Sequence, residues 1–146
     1  MNFQLIKIST SRIGSQSTIE IHNGKPVYIS SLARTIMDAV YEWSRFNSLP
    51  TAYKWLNDYI DDKKIIDELI QITLRYANIA TKRRIDYTLE KLTPKNKSIP
   101  LIQQQFKSAQ GWITLDPTQK AIGKTNKKWR IIDNVNFLIC STYRAK

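Results

Sequence analysis

Cysteine and histidine are almost missing from this chain of 146 residues, in which each occurs once, as Cys140 and His22. A single cysteine cannot close an internal disulfide, and one cysteine with one histidine cannot form a Cys/His zinc site. The fold must therefore depend on its hydrophobic core, for which a single domain of this length is large enough. A lone thiol also fits a reducing compartment, so we expect a cytoplasmic protein.

Glycine is scarce as well, and with it the motifs of phosphate-binding enzymes. Four glycines leave little room for a glycine-rich phosphate loop, and the sequence contains none. No serine or cysteine lies in a recognisable nucleophile elbow, and His22 stands alone on a predicted strand. A metal-dependent nuclease needs spaced carboxylates with a lysine on a strand, whereas Asp61-Asp62-Lys63-Lys64 falls between two predicted helices. We therefore expect a protein that is not an enzyme, without catalytic residues, cofactor or metal.

Long apolar runs are also lacking. No stretch approaches the roughly 20 apolar residues that cross a bilayer. Residues 1–7 lack the basic segment and the following apolar stretch of a secretion signal. Both absences predict a protein without a membrane partner.

Positive charge is what the chain has in excess, and it is concentrated in the second half. The net charge is +11. Residues 1–74 are neutral, with 8 Lys/Arg and 8 Asp/Glu, whereas residues 75–146 carry 15 Lys/Arg against 4 Asp/Glu. Such an asymmetry favours a positive face directed at phosphate or at an acidic protein. A surface that only keeps the protein soluble has the same composition, so charge alone does not decide.

Alternating side chains predict three strands near the N-terminus. They cover residues 3–8, 18–22 and 26–29. Asn23-Gly24 is a strong signal for a tight turn between the second and third strands. Together these strands predict a small antiparallel sheet, with residues 9–17 as its polar loop.

Four helices are predicted next, each with an apolar stripe at helical spacing. Ser30 and Ser31 can cap the first helix by accepting its free amide hydrogens. Pro50 opens the second helix. Asn78 caps the fourth, which ends before Pro94. The inward stripes are Leu32, Ile36, Ala39, Val40 and Trp43, then Ala52, Trp55, Leu56, Tyr59 and Ile60, then Ile66, Leu69, Ile70, Thr73 and Ala77, and last Ile85, Leu89 and Leu92.

Short elements alternate with loops in the rest of the chain. A fifth, short helix opens at Pro100 and ends at Gly111. Residues 112–115 predict a strand, residues 116–128 a lysine-rich loop, and residues 128–132 and 136–140 two further strands. The succession of strands, helices and strands indicates an α+β fold, with a small antiparallel sheet and a segregated layer of four to five helices.

Four short segments, in a fixed order, carry a family resemblance. They are residues 29–38 (ISSLARTIMD), 81–90 (TKRRIDYTLE), 115–117 (LDP) and 129–134 (WRIIDN). The order resembles the C-terminal domain of the AbiEi family, the antitoxin and repressor half of bacterial abortive-infection toxin–antitoxin pairs. That pattern has a helix opening with Arg-Thr and a following Asp, a later helix with a Lys-Arg pair, a Leu-Asp-Pro turn and a Trp-centred strand. The resemblance covers roughly residues 3–140 and implies one such domain over residues 1–146.

The sequence departs from the family pattern in two places. The Leu-Gly that usually follows the Lys-Arg pair is Arg84-Ile85 here. The winged helix-turn-helix that binds DNA in the family has no counterpart, because Met1 directly precedes the first predicted strand. Specific operator recognition is therefore expected to need another chain or segment.

The resemblance implies an antitoxin and transcriptional-regulator domain of phage defence that counteracts a nucleotidyltransferase-like toxin. Its implied partners are the phosphate backbone of DNA or RNA and, in addition, the cognate toxin. Arg34 and Asp38 stand at hallmark positions of the family. Because they lie four residues apart, they share a helix face and can pair, and we interpret the pair as structural.

Two basic clusters form the candidate nucleic-acid site. One lies on the fourth helix. The other surrounds Trp129 and consists of Lys120, Lys124, Lys127, Lys128 and Arg130. We interpret Trp129 itself as a core residue, because Ile131 requires the same buried face. A lysine-rich loop suits contact with phosphates that is independent of sequence. The predicted nucleic-acid-binding residues are Lys82, Arg83, Arg84, Lys91, Lys127, Lys128 and Arg130.

Two other functions stay open on the sequence. A protein–protein interaction module would use the same basic face to dock on an acidic partner, the toxin included. A small nuclease is the less favoured alternative, because the carboxylate cluster that it needs is missing. Salt-dependent binding to arbitrary duplex DNA distinguishes the nucleic-acid function from the protein module.

Overall fold

Helices form the larger layer of the fold. The computed structural model describes residues 9–12, 17–22, 25–93 and 111–135. A 3₁₀ turn (Thr10–Arg12) comes first within these ranges. The four helices predicted between residues 32 and 92 are confirmed, and a short extra helix separates the first from the second. The described helices are α1 (Leu32–Tyr41), α2 (Trp43–Phe46), α3 (Leu49–Asp58), α4 (Lys63–Tyr76) and α5 (Ile79–Leu92).

Polar side chains begin three of these helices. The Ser31 hydroxyl accepts a hydrogen bond from the Arg34 amide at the start of α1, as predicted. The Asn78 side chain accepts one from the Thr81 amide at the start of α5, again as predicted. Asp62 caps α4 in the same way. Each cap satisfies an amide that the first turn of a helix leaves without a partner.

The core lies around α1, which packs against α3, α4 and α5. Trp43 and Trp55 are only partly buried against this core. Tyr59, predicted as inward, is 38% exposed, because α3 ends at Asp58 and the next residue no longer follows the helical stripe. The largest fully buried side chains are Trp129, Tyr53, Ile36, Met37, Leu49, Leu56, Leu69, Ile72, Ile85, Leu89 and Leu115.

Two separate sheets accompany the helices in the described residues. β1 (Ser17–His22) and β2 (Lys25–Ser30) form the predicted antiparallel hairpin, with Ser17 opposite Ser30. β3 (Ile113–Thr114), β4 (Lys124–Asn126) and β5 (Ile131–Asp133) form a second sheet in the order β3-β5-β4.

The second sheet is mixed, since β5 pairs antiparallel with β4 and parallel with β3. The chain reverses direction twice between β3 and β5, which is why these two strands run parallel. The predicted lysine-rich loop contains β4. The last described strand begins only at Ile131, because Arg130 adopts a left-handed φ of 49° and thereby ends a turn over residues 127–130.

Some sequence predictions fall outside the described residues. They concern the strand at residues 3–8, the Asn23-Gly24 turn, the short helix after Pro100 and the strand at 136–140. In the described residues the helical layer and the small sheets confirm the α+β class. None of the helices described combines the length and the apolar character that crossing a membrane requires.

Replacing Trp129 by alanine tests the core assignment. Trp129 is 1% exposed, so the truncation leaves a cavity and should lower the free energy of unfolding by about 3–5 kcal/mol. Urea denaturation followed by circular dichroism measures this loss. Trp112→Ala is the matched control, since Trp112 is 48% exposed and its truncation should cost far less. Equal losses in the two variants would contradict the core assignment.

Candidate nucleic-acid interface

The guanidinium of Arg83 joins α5 to the second sheet. Arg83 is 3% exposed. Its Nε donates a hydrogen bond to the Trp129 carbonyl at 2.7 Å, and its Nη2 donates to the Gly111 carbonyl at 3.1 Å and to the Arg130 carbonyl. One side chain therefore ties the start of β3 to the turn before β5.

Arg84 makes the corresponding contact with β3 itself. Its Nε donates to the Thr114 carbonyl at 3.1 Å, and its guanidinium lies 5.9 Å from the centre of the Trp43 ring. Beside it, the buried Tyr53 hydroxyl donates to the Leu115 carbonyl at 2.7 Å. Burial raises the pKa of Tyr53, so this hydroxyl keeps its proton and remains a donor. The two consecutive arginines thus hold two parts of the sheet against the helices.

This placement corrects the prediction that Arg83 and Arg84 face phosphate. Both are buried, at 3% and 6% exposure. The physical reason is the geometry of the guanidinium, whose several donors match the backbone carbonyls of β3 and the turn before β5. A backbone carbonyl satisfies an arginine without a carboxylate, and sequence alone gives no signal for such a partner. These residues position the basic surface but are not part of it.

Lys82 and Lys91 belong to the same helix and are also engaged. Lys82 is partly buried, and burial lowers the pKa of its amine, with Asp86 opposing that effect. The Lys91 ammonium lies 2.6 Å from Asp133 Oδ2, which also accepts a hydrogen bond from the Tyr87 hydroxyl at 2.7 Å. Lys91 therefore reinforces the contact between α5 and β5.

Lys128, in the turn before β5, forms an ion pair with Glu90 of α5. Its ammonium lies 2.5 Å from Glu90 Oε1, and the indole Nε1 of Trp129 donates to Glu90 Oε2. The Trp129 amide is held by Asn126 at 3.1 Å. The turn over residues 127–130 is therefore fixed from its buried side, and Trp129 is a core residue as predicted.

Asp86 is a buried carboxyl group in the middle of α5. It is 0% exposed, and neither side-chain oxygen has a hydrogen-bond partner. Burial raises its pKa to about 9; Lys82 opposes this shift, and Glu90 adds to it. At neutral pH the group is therefore protonated and contributes no negative charge to the basic half.

The four carboxylates of residues 75–146 are all withdrawn from the surface or engaged. Asp86 is buried, Glu90 binds Lys128, and Asp133 binds Lys91. Asp116 is 3% exposed and accepts hydrogen bonds from the Thr118 amide at 2.8 Å and hydroxyl at 2.6 Å. The positive surface of this half is therefore left without a free carboxylate to balance it.

Three lysines near β4 and the following turn belong to the part of that surface that points outward. We call Lys120, Lys124 and Lys127 the lysine edge. All three are exposed, and in the described residues none of them forms an ion pair. Arg130 is also exposed, in the turn beside them. Of the seven predicted residues, Lys127 and Arg130 thus lie on the outward surface, and Lys91 and Lys128 are also exposed but pair with Asp133 and Glu90. Lys120 and Lys124 belong to the basic cluster predicted around Trp129.

Gly123 fixes the lysine edge against the rest of the sheet. A Cβ atom added to Gly123 would lie 1.9 Å from the Asp133 carbonyl oxygen. Only glycine allows the backbone to approach this closely. The close approach holds the beginning of β4 on β5 and keeps Lys124 in register with Asp133.

The predicted pair Arg34 and Asp38 forms on α1. Arg34 Nε donates to Asp38 Oδ2 at 2.7 Å. Arg12, which the sequence prediction missed, bridges Asp38 at 3.2 Å and Glu42 at 2.8 Å and stacks 3.7 Å over the Tyr41 ring. Arg34 also donates to the Arg12 carbonyl at 2.8 Å. The network ties the 3₁₀ turn to α1, which supports the structural interpretation of the pair.

Metal binding finds no support in the described part of the chain. No group of three or more His, Cys, Asp or Glu side chains is placed there to hold an ion.

Comparison of the chain with protein-family models, with curated proteins and with solved structures gives no match. The function therefore rests on the chemistry of the site itself.

Asp86→Asn should change how stability depends on pH. Because the folded-state pKa of about 9 lies above the ordinary value of 3.8, the folded state keeps a proton that the unfolded state releases. Stability therefore falls as pH rises between about 4 and about 9. The asparagine removes this slope and should stabilise the protein at pH 8 by about 1–3 kcal/mol.

Urea denaturation of the two proteins at pH 5 and at pH 8 measures the effect. Asp67→Asn is the matched control, since Asp67 is exposed on α4 and lies in the neutral half. Parallel pH profiles for the wild type and Asp86→Asn would contradict the burial of an unpaired carboxyl group.

Proposed function

We propose that this domain is a non-enzymatic, nucleic-acid-binding antitoxin and transcriptional-regulator domain of the AbiEi type. The observation that carries the proposal is the separation of charge in residues 75–146. Their four carboxylates are buried or engaged, whereas Lys120, Lys124 and Lys127 point into solvent. Phosphate is the chemical group that such a surface fits best.

The lysine edge suits contact with a phosphate backbone rather than with base edges. Lysine carries a compact charge on a flexible stem, without the planar fork that reads a guanine or an adenine. Lys120 precedes β4, Lys124 lies on it and Lys127 follows it in the turn, so the three can follow a run of phosphates. We therefore propose weak binding with little sequence preference, and a dissociation constant of about 10⁻⁴–10⁻⁶ M at physiological salt.

The packing of the four resemblance segments supports the AbiEi part of the proposal. Arg83, from the second segment, bonds to Trp129 in the fourth. Asp116, from the third, accepts a hydrogen bond at its carbonyl from Asn134 at 2.6 Å and donates its amide to the same side chain at 2.8 Å. The first segment opens α1, which packs against α5. Segments that define the resemblance therefore meet in one packed unit.

Two further parts of the proposal follow from this family. The domain acts in the cytoplasm, and it counteracts a nucleotidyltransferase-like toxin. The basic surface then meets either the DNA of its own operon or the RNA on which the toxin acts.

Charge reversal of the lysine edge tests the proposal. Lys124→Glu/Lys127→Glu should weaken binding to duplex DNA evenly across sequences and reduce the salt slope by about two units, one for each lost phosphate contact. Lys63→Glu/Lys64→Glu is the matched control, because it makes the same charge change at two exposed lysines of the neutral half. Mobility shifts at 50 and 200 mM salt measure both quantities.

The outcomes separate the competing functions. Absence of wild-type binding at low salt would overturn the nucleic-acid function and favour an acidic protein partner. The antitoxin role has a second readout: the wild type and the control should restore growth to cells expressing the cognate toxin, and the lysine-edge variant should not. Full rescue by that variant would contradict a role of the lysine edge in neutralisation.

A further inference from the structure

Trp112 is a large aromatic side chain that the core does not use. It is 48% exposed, whereas Trp129 is 1% exposed and Trp43 and Trp55 pack against the core. Tryptophan is highly buried on average in folded proteins. An exposed tryptophan within a basic surface is therefore a candidate contact for a ligand.

The backbone of Trp112 is fixed beside the basic turn over residues 127–130. The preceding carbonyl, of Gly111, and the Arg130 carbonyl both accept hydrogen bonds from Arg83 Nη2. The following amide, of Ile113, donates to the same Arg130 carbonyl at 3.1 Å. Trp112 is therefore held from both sides against the turn that presents Lys127.

The side chain of Trp112 points away from the core. Ile113 packs against the core and pairs with the buried Ile131. Trp112 directly precedes β3, and its 48% exposure shows that much of its side chain meets solvent. Trp112 and Lys127 are thus both exposed, and the backbone of each lies next to the turn over residues 127–130.

We infer that Trp112 is a stacking platform for an unpaired base, and that the preferred ligand of the lysine edge is single-stranded nucleic acid. The inference rests on the proposed function and narrows its ligand. An exposed indole beside a turn with exposed cations, in a half whose four Asp and Glu side chains are buried or engaged, provides both contacts that single strands require, a stacked base and a neutralised phosphate. A duplex keeps its bases stacked on one another and offers only the phosphate contact.

Two substitutions at Trp112 separate stacking from apolar contact. Trp112→Leu keeps an apolar side chain but removes the aromatic face, and should weaken binding to a 12-nucleotide oligo(dT) by about 5- to 150-fold, the range of one base–aromatic stack. Binding to a 12-base-pair duplex should not change. Trp112→Phe keeps an aromatic face and should retain most of the single-strand affinity. Fluorescence anisotropy at one fixed salt concentration measures all the dissociation constants.

Tyr59→Leu is the matched control. Tyr59 is 38% exposed on the neutral half, so its loss should leave both affinities unchanged. A measurement on the wild type does not depend on whether a variant folds. In NMR spectra, the indole Nε1–H resonance of Trp112 should shift on addition of oligo(dT), and that of the buried Trp129 should not.

The failures of the two proposals can be told apart. If Trp112→Leu binds oligo(dT) as the wild type does, or if the Trp112 resonance does not move, the stacking inference is wrong while the proposed function stands. Equal weakening on duplex and single strand by Trp112→Leu would also overturn stacking. Absence of wild-type binding to either probe would overturn the proposed function itself.

Discussion

One buried guanidinium holds together parts of the chain that lie far apart in sequence. Arg83 reaches the Trp129 carbonyl, 46 residues further along the chain, and also the carbonyls of Gly111 and Arg130. A charge this deeply buried is stable only when its donors are satisfied, and here backbone carbonyls provide the acceptors. Burial, followed by the charges of Arg130 and Arg84, lowers the pKa of Arg83. The position of the second sheet on α5 depends on this contact.

The distribution of charge on the surface follows from that docking. When the sheet lies on α5, Glu90 faces Lys128 and Asp133 faces Lys91, so the carboxylates are engaged at the contact between the two layers. The lysines of the lysine edge have no such partner among the described residues and remain outward. Charges that hold the two layers together and charges that stay exposed are thus separated by the same packing, and the described part of the basic half presents a predominantly positive surface.

Local patterns in the sequence predicted the helices but not the docking. Apolar stripes and the caps Ser31 and Asn78 are short-range signals, and the structure confirms them. A pair of arginines on a helix looks the same whether it meets solvent or backbone carbonyls, so the burial of Arg83 and Arg84 had no local signal. β5 begins later than predicted because Arg130 adopts a left-handed φ. That conformation is uncommon for residues other than glycine, so an arginine in the sequence does not indicate it. Arg12 was missed because its partners lie about thirty residues away.

Hydrogen exchange at β3 in the Arg83→Lys variant tests the central claim, that Arg83 docks the sheet. Lysine keeps the charge but cannot satisfy three carbonyls with a planar fork. The account predicts that the Ile113 and Leu115 amides, which bond to β5 and the residue before it, exchange about tenfold faster or more, while α4 amides keep their rates. Arg75→Lys, on an exposed arginine, should leave all rates unchanged. Unchanged exchange at Ile113 and Leu115 in Arg83→Lys would contradict the account.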